Sequence, residues 1–110
     1  MNNRKPKVPI IKNIHQKVYA AASKPGALNM DFWHKCKTTH CRAGWVVTLA
    51  GKAGKALEDH YGMADEAAIA IYKARGYKIN PWRFYDSNEV ALADMKRLAE
   101  EEKADARKSR

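Results

Sequence analysis

Glycine and proline punctuation constrains this chain more than any other feature. Pro25-Gly26, Gly51, Gly62, Gly76 and Pro81 cut it into short segments. Within most of them apolar residues recur three and four positions apart, the period of a helix with one buried face. Ile11, Ile14, Val18 and Ala22 predict a first helix over residues 12–23. Residues 40–50, 53–61 and 65–74 predict three more, stopped by Gly51, Gly62 and Gly76. Asp86 with Glu89 three positions on reads as a capping-box start for a last helix to residue 103. Ala91, Met95, Leu98 and Ala99 form its apolar stripe. Residues 27–37 hold no sustained period and are expected to form a loop or a short turn of helix, packing Leu28, Met30, Phe32 and Trp33 inward. Residues 77–84 are expected to be extended or looped, since Pro81 forbids a regular helix through them. No β-branched runs alternate with the helices, which argues against a parallel sheet.

The expected fold is therefore mostly α: one small bundle of four to five short helices around a buried central helix, about residues 39–50. Ala43-Gly44-Trp45-Val46-Val47 is apolar all round, as a central helix requires. Thr38-Thr39 supply its expected N-cap. Gly44 costs that helix about 1 kcal/mol against alanine. Close approach of another backbone or a bulky ring is the usual compensation. The expected organisation is a basic, flexible leader over 1–11, a helical domain over 12–103 and a charged tail over 104–110.

The net charge of +9 is unevenly placed. Arg4, Lys5, Lys7, Lys12, Lys17 and Lys24 stand in the first 24 residues without one acid. Such an end is drawn to something anionic: nucleic acid, a nucleoprotein or an acidic protein face. No stretch approaches the ~20 apolar residues of a membrane span. Val8-Pro9-Ile10-Ile11 is too short for the apolar part of a signal peptide. The expectation is a cytoplasmic protein with no membrane partner and reduced thiols.

The passage from Trp33 to Trp45 concentrates histidine and cysteine, and three readings compete for it. As a zinc site it would use His34, Cys36, His40 and Cys41, but structural sites usually add a distant second ligand pair. Adjacent residues on a helix also point about 100° apart. As a thiol enzyme it would use Cys41 in the first turn of the central helix, where free N–H groups favour a thiolate, with Lys35, Lys37 and Arg42 adding positive potential and His34 or His60 as base. No known cysteine-enzyme signature accompanies it. The favoured reading is structural. Cys41, Trp45, Val46 and Leu49 form core, Cys36 fills a small buried pocket and the histidines cap nearby groups. No metal or other cofactor is expected on that reading.

The residues Asn29-Met30-Asp31, Trp33-His34-x-Cys36-x-Thr38-Thr39-His40-Cys41-Arg42-Ala43-Gly44-Trp45, Leu49-Ala50-Gly51, Leu57-Glu58, Ala67-Ala68 with Ile71-Tyr72, and Phe84-Tyr85-x-Ser87-Asn88-x-x-Ala91-Leu92-Ala93-Asp94 carry a resemblance. They resemble a family of small phage and prophage proteins, over about residues 13–100. The resemblance implies no catalytic role. It implies a phage-encoded protein working in a bacterial cytoplasm.

Residues 75–85 interleave bases with aromatics, a pairing that single-strand binders use for phosphates and bases. The competing reading has Tyr77, Trp82 and Phe84 anchoring a long connection to the core. The leading expectation is a non-enzymatic phage-type accessory protein that binds and modulates host machinery, as a takeover or anti-defence inhibitor. Its partner would be a host protein or a nucleoprotein complex. The expected surface comprises Lys5, Lys7, Lys12, Lys17, Arg75, Lys78, Trp82, Arg83 and Tyr85. A Cys/His-based zinc domain or thiol enzyme, and a non-specific nucleic-acid binder, are the alternatives.

Overall fold

A computed structural model describes residues 5–108 of the chain. Arg4 of the basic leader and residues 109–110 of the tail lie outside the described residues. The order is α1 (Ile14–Ala22), β1 (His34–Cys36), β2 (Thr39–His40), α2 (Arg42–Leu49), α3 (Gly51–Tyr61), α4 (Ala64–Ala74), a 3-10 helix (Pro81–Tyr85) and α5 (Asn88–Lys108). The expected helical bundle is present. Among the described residues no helix is long and apolar enough to cross a membrane.

Helix α2 occupies the centre, packing against α1, α3 and α4, while α1 lies along α5. The core joins Ile14 and Val18 of α1, Val46 of α2, Leu57 of α3, Ile71 and Tyr72 of α4, Phe84, and Met95 of α5. Packing starts before the expected boundary at residue 12, since Ile11 is buried and Val8 leans on the core. Gly62 and Gly76 adopt positive φ angles of 80° and 85°, ending α3 and α4 where the punctuation placed the stops. Gly44 meets the backbone approach its cost implied: a Cβ there would fall on the Trp33 carbonyl oxygen.

Several local expectations are corrected. Residues 34–40 form an antiparallel hairpin, with His34 opposite His40 and Cys36 opposite Thr39. Thr38 and Thr39 lie in that hairpin, and Cys41 is the N-cap of α2. Residues 77–80 are loop as expected and no helix runs through Pro81, but Pro81 opens a 3-10 helix over residues 81–85, since a first-turn proline forfeits no needed N–H. Ser87, not Asp86, caps α5, its hydroxyl accepting from the Val90 N–H at 3.3 Å. The segment expected to be a charged tail continues as helix through Lys108. Leu49 and Phe32, expected in the core, are exposed.

Two buried charges fasten the helices together. Arg42, on the supposedly all-apolar helix, is fully buried. Its Nη1 meets Asp94 Oδ2 of α5 at 2.7 Å and its Nε donates to the Tyr72 hydroxyl at 3.3 Å. Glu102 of α5 closes the start of α1. Its carboxylate accepts from the His15 N–H at 3.3 Å, and from the Gln16 N–H and Nε2 at 3.0 Å. Asn13 offers no side-chain cap, so the orphan donors of α1 are satisfied from across the fold.

Burial alone would raise the Glu102 carboxyl, but these N–H donors bring it below its ordinary value. A carboxyl lowered in the folded state stabilises fully above its unfolded pKa and loses that contribution as pH falls through the folded one. Glu102→Ala should therefore cost about 1.5–3 kcal/mol at pH 7, the worth of hydrogen bonds to a charged group. Urea titrations should show that cost shrinking once pH drops well below about 4.

Candidate functional site

The hairpin delivers the Cys/His residues to three different places. Cys41 is 1% exposed, and its Sγ accepts from the Gly44 N–H at 3.3 Å, taking the part a serine or threonine oxygen usually plays at an N-cap. Burial pushes this thiol up, outweighing the N–H groups of Gly44 and Ala43 that pull it down. Neither proposed base reaches it. His34 is engaged by His40 and Glu58, and His60 lies exposed on the last turn of α3. Cys41 is buried, as the favoured structural reading expected, and the alternative reading of it as a nucleophile finds no base beside it.

Cys36 is exposed rather than pocketed. Hydrogen bonds from Thr39 and Thr38 lower its thiol to about 7, and its Sγ lies 3.6 Å from Thr38 Oγ1. Titration of the native protein with a thiol reagent near neutral pH should thus show one fast group and one protected until unfolding. Cys36→Ser should remove the fast phase, which reacts through the thiolate and should slow as pH falls below about 7. A fast phase surviving that substitution would place a reactive thiolate at Cys41 after all.

His34, Cys36, His40 and Cys41 do not converge as four ligands. Among the described residues no group of three His, Cys, Asp or Glu side chains gathers in a metal-holding arrangement. The two histidines do meet. His34 Nδ1 lies 2.7 Å from His40 Nδ1, and His34 Nε2 lies 2.7 Å from Glu58 Oε1 of α3. His40 Nε2 lies 3.0 Å from the Lys37 carbonyl oxygen, and its ring stands edge-on to Trp45 at 4.7 Å. Burial holds the His40 imidazole below its ordinary value.

The expected binding residues fall on separate regions. Lys5 sits over the Tyr61 ring at 5.4 Å, and Lys7, Lys12 and Lys17 are exposed at and before α1. Arg75 and Lys78 are exposed on the loop after α4. Tyr77 ties that loop to α1, its ring 4.2 Å from His15 and its hydroxyl donating to Glu102. Trp82 is 77% exposed, so it anchors nothing, whereas Phe84 is buried as an anchor should be. Arg83 pairs with Asp86 at 3.4 Å. Tyr85 is 61% exposed and donates to Asp65 Oδ2 at 3.0 Å.

Tyr85 belongs to a feature the sequence did not announce. An open groove of about 1100 Å³ runs between residues 30–33 and residues 84–89. Met30 N–H donates to Asn88 Oδ1 at 2.7 Å, tying the two walls. Phe32, Trp33 and Tyr85 supply aromatic surface, Trp33 standing edge-on to Tyr85 with centroids 6.3 Å apart. Asp31, Asp86 and Glu89 are the charged residues of the lining. A chain of net charge +9 thus presents an aromatic groove whose lining charges are carboxylates. Asn88, on its wall, and Glu102, beside the basic loop, lie about 21 Å apart along α5 at 1.5 Å per residue. Residues expected to share one surface therefore lie in separate regions.

No protein-family model and no solved structure matches the chain. A 41-residue stretch is 46% identical to part of a probable butyrate kinase from Coprothermobacter proteolyticus. The match covers 37% of this chain and 12% of that protein's length.

Proposed function

We propose that this chain is a non-enzymatic, phage-type accessory protein that modulates a bacterial host protein by docking onto it through the groove between residues 30–33 and 84–89. The observation that carries this reading is the groove's composition. Exposed Phe32 and Tyr85 stand among three carboxylates, with Trp82 exposed nearby in sequence. Contiguous exposed aromatic surface marks interaction sites, and aromatics are the usual anchors of protein interfaces. Asp86 is already paired with Arg83, and Lys35 stands 6.0 Å from the Phe32 ring, so Asp31 and Glu89 are the carboxylates that would favour a protein segment presenting lysine or arginine beside apolar groups. Cys41, buried and capping α2 with no base beside it, gives no support for a thiol enzyme centred there.

The exposed basic residues around α1 favour a second, weaker role. Lys12, Arg75 and Lys78 would hold nucleic acid electrostatically, with affinity falling steeply as salt rises. Affinity capture from bacterial lysate, with and without nuclease, separates the two readings. A host protein should be retained after nuclease treatment, lost with Phe32→Ala and Tyr85→Ala, and unchanged by Lys12→Ala and Lys78→Ala. Capture that vanishes with nuclease or with the lysine variants, and ignores the groove variants, would replace the first reading by the second.

A further inference from the structure

The His34–His40 pair has a hydrogen-bond polarity that its neighbours fix. A carbonyl oxygen can only accept, so the 3.0 Å contact between His40 Nε2 and Lys37 O requires a proton on that Nε2. An ionised carboxylate can only accept, so the 2.7 Å contact between His34 Nε2 and Glu58 requires one there too. Both neutral rings then present bare Nδ1 lone pairs, which face each other at 2.7 Å. Two lone pairs at that distance repel unless a proton is shared between them, and a metal ion can take the proton's place if the rings part slightly.

We propose that His34 Nδ1 and His40 Nδ1 form a binding site for a divalent, imidazole-preferring metal ion of the zinc class. Imidazole nitrogen suits zinc, copper and nickel, whereas magnesium and calcium prefer oxygen. Metal-bound histidines characteristically donate their other ring N–H to a carboxylate or a backbone carbonyl, and Glu58 and Lys37 fill both parts here. The ion displaces the proton that the pair otherwise shares. Two Zn–N bonds of about 2.0–2.1 Å at a tetrahedral angle need the nitrogens about 3.3 Å apart. His34, whose side chain is 33% exposed, would have to shift slightly outward with Glu58 to provide that gap. With two protein donors, water fills the remaining positions, and the ion exchanges readily. This site differs from the four-ligand arrangement suggested by the sequence, because Cys36 and Cys41 take no part. Glu58 is a positioning residue, and binding would pin α3 to the hairpin beside the groove wall at Trp33.

Zinc chloride titrated into the full-length protein at pH 7.5, followed by calorimetry and by ¹⁵N spectra of the histidine rings, tests this. One equivalent should bind, shifting both Nδ1 signals while both Nε2–H signals persist. His34→Gln, at the more exposed ring, should abolish the event without unfolding the protein. Glu58→Gln should weaken it by about 10–100-fold, the usual effect of losing such an anchoring partner. Wild-type protein that binds no zinc, zinc held through Nε2 or at His15 or His60, or affinity indifferent to His34→Gln or Glu58→Gln would each overturn the proposal.

Discussion

Asp94→Ala is expected to destabilise the protein by about 3–5 kcal/mol, the cost of leaving one member of a buried ion pair alone. Arg42 would then be a fully buried guanidinium without a counter-charge, its Nη2 already lacking a hydrogen-bond partner among the described residues. The Tyr72 and Phe84 rings, 5.6 and 6.0 Å from the guanidinium carbon, offer cation–π contact. That contact is worth about 2 kcal/mol when desolvated and cannot replace the carboxylate. The double variant Arg42→Met, Asp94→Leu removes both charges together and should recover most of the loss, since apolar replacements of a buried pair are often neutral or better. Urea denaturation with an unchanged slope would measure both effects. Burial alone would raise the Asp94 carboxyl, but Arg42 and Arg97 lower it overall. The pair's contribution is therefore present at neutral pH and fades as pH falls through the folded carboxyl's pKa.

Gly44→Ala sets two magnitudes against each other. Alanine improves helix propensity by about 1 kcal/mol. Its Cβ would fall on the Trp33 carbonyl oxygen and 2.9 Å from His40 Cβ, so backbone must move. Overpacking of this kind costs about 1–3 kcal/mol and more where a rigid neighbour cannot yield. The clash wins, and net destabilisation of up to about 2 kcal/mol is expected by the same comparison. The hairpin should swing away from α2, taking His40 from Trp45 and Trp33 from Tyr85. Ring-current shifts of Trp45 and Tyr85 would report this displacement separately from the loss in stability.

These two residues show where sequence reading stops. The helices were legible because their signals are local: apolar residues three and four apart, and glycines such as Gly62 and Gly76 at the stops. The central position of α2 was legible from Val46 and Val47 beside Gly44. Arg42 was not, because a charge beside apolar residues reads as surface until its partner 52 positions later is known. Glu102 was hidden for the same reason, capping a helix 86 positions away. The hairpin escaped because three- and two-residue strands carry too few residues for alternation to show.

The candidate site divides in the same way. Tyr85 and Trp82 were readable as exposed aromatics, but Phe32 was assigned to the core and its pairing with the 84–89 wall had no sequence signal. The histidines were flagged as a cluster, yet only the fold shows that Glu58 joins them and that both cysteines stand apart. Acidity of the groove was masked by the chain's positive total.

Photo-crosslinking in the host cell tests the docking groove most directly, using a benzophenone-bearing residue placed at position 85 and, separately, at position 12. The groove account predicts a crosslink to one host protein from position 85, abolished by Phe32→Ala, and none to that protein from position 12. Crosslinks to nucleic acid or protein from position 12 alone would contradict it, and would move the working surface to the lysines around α1.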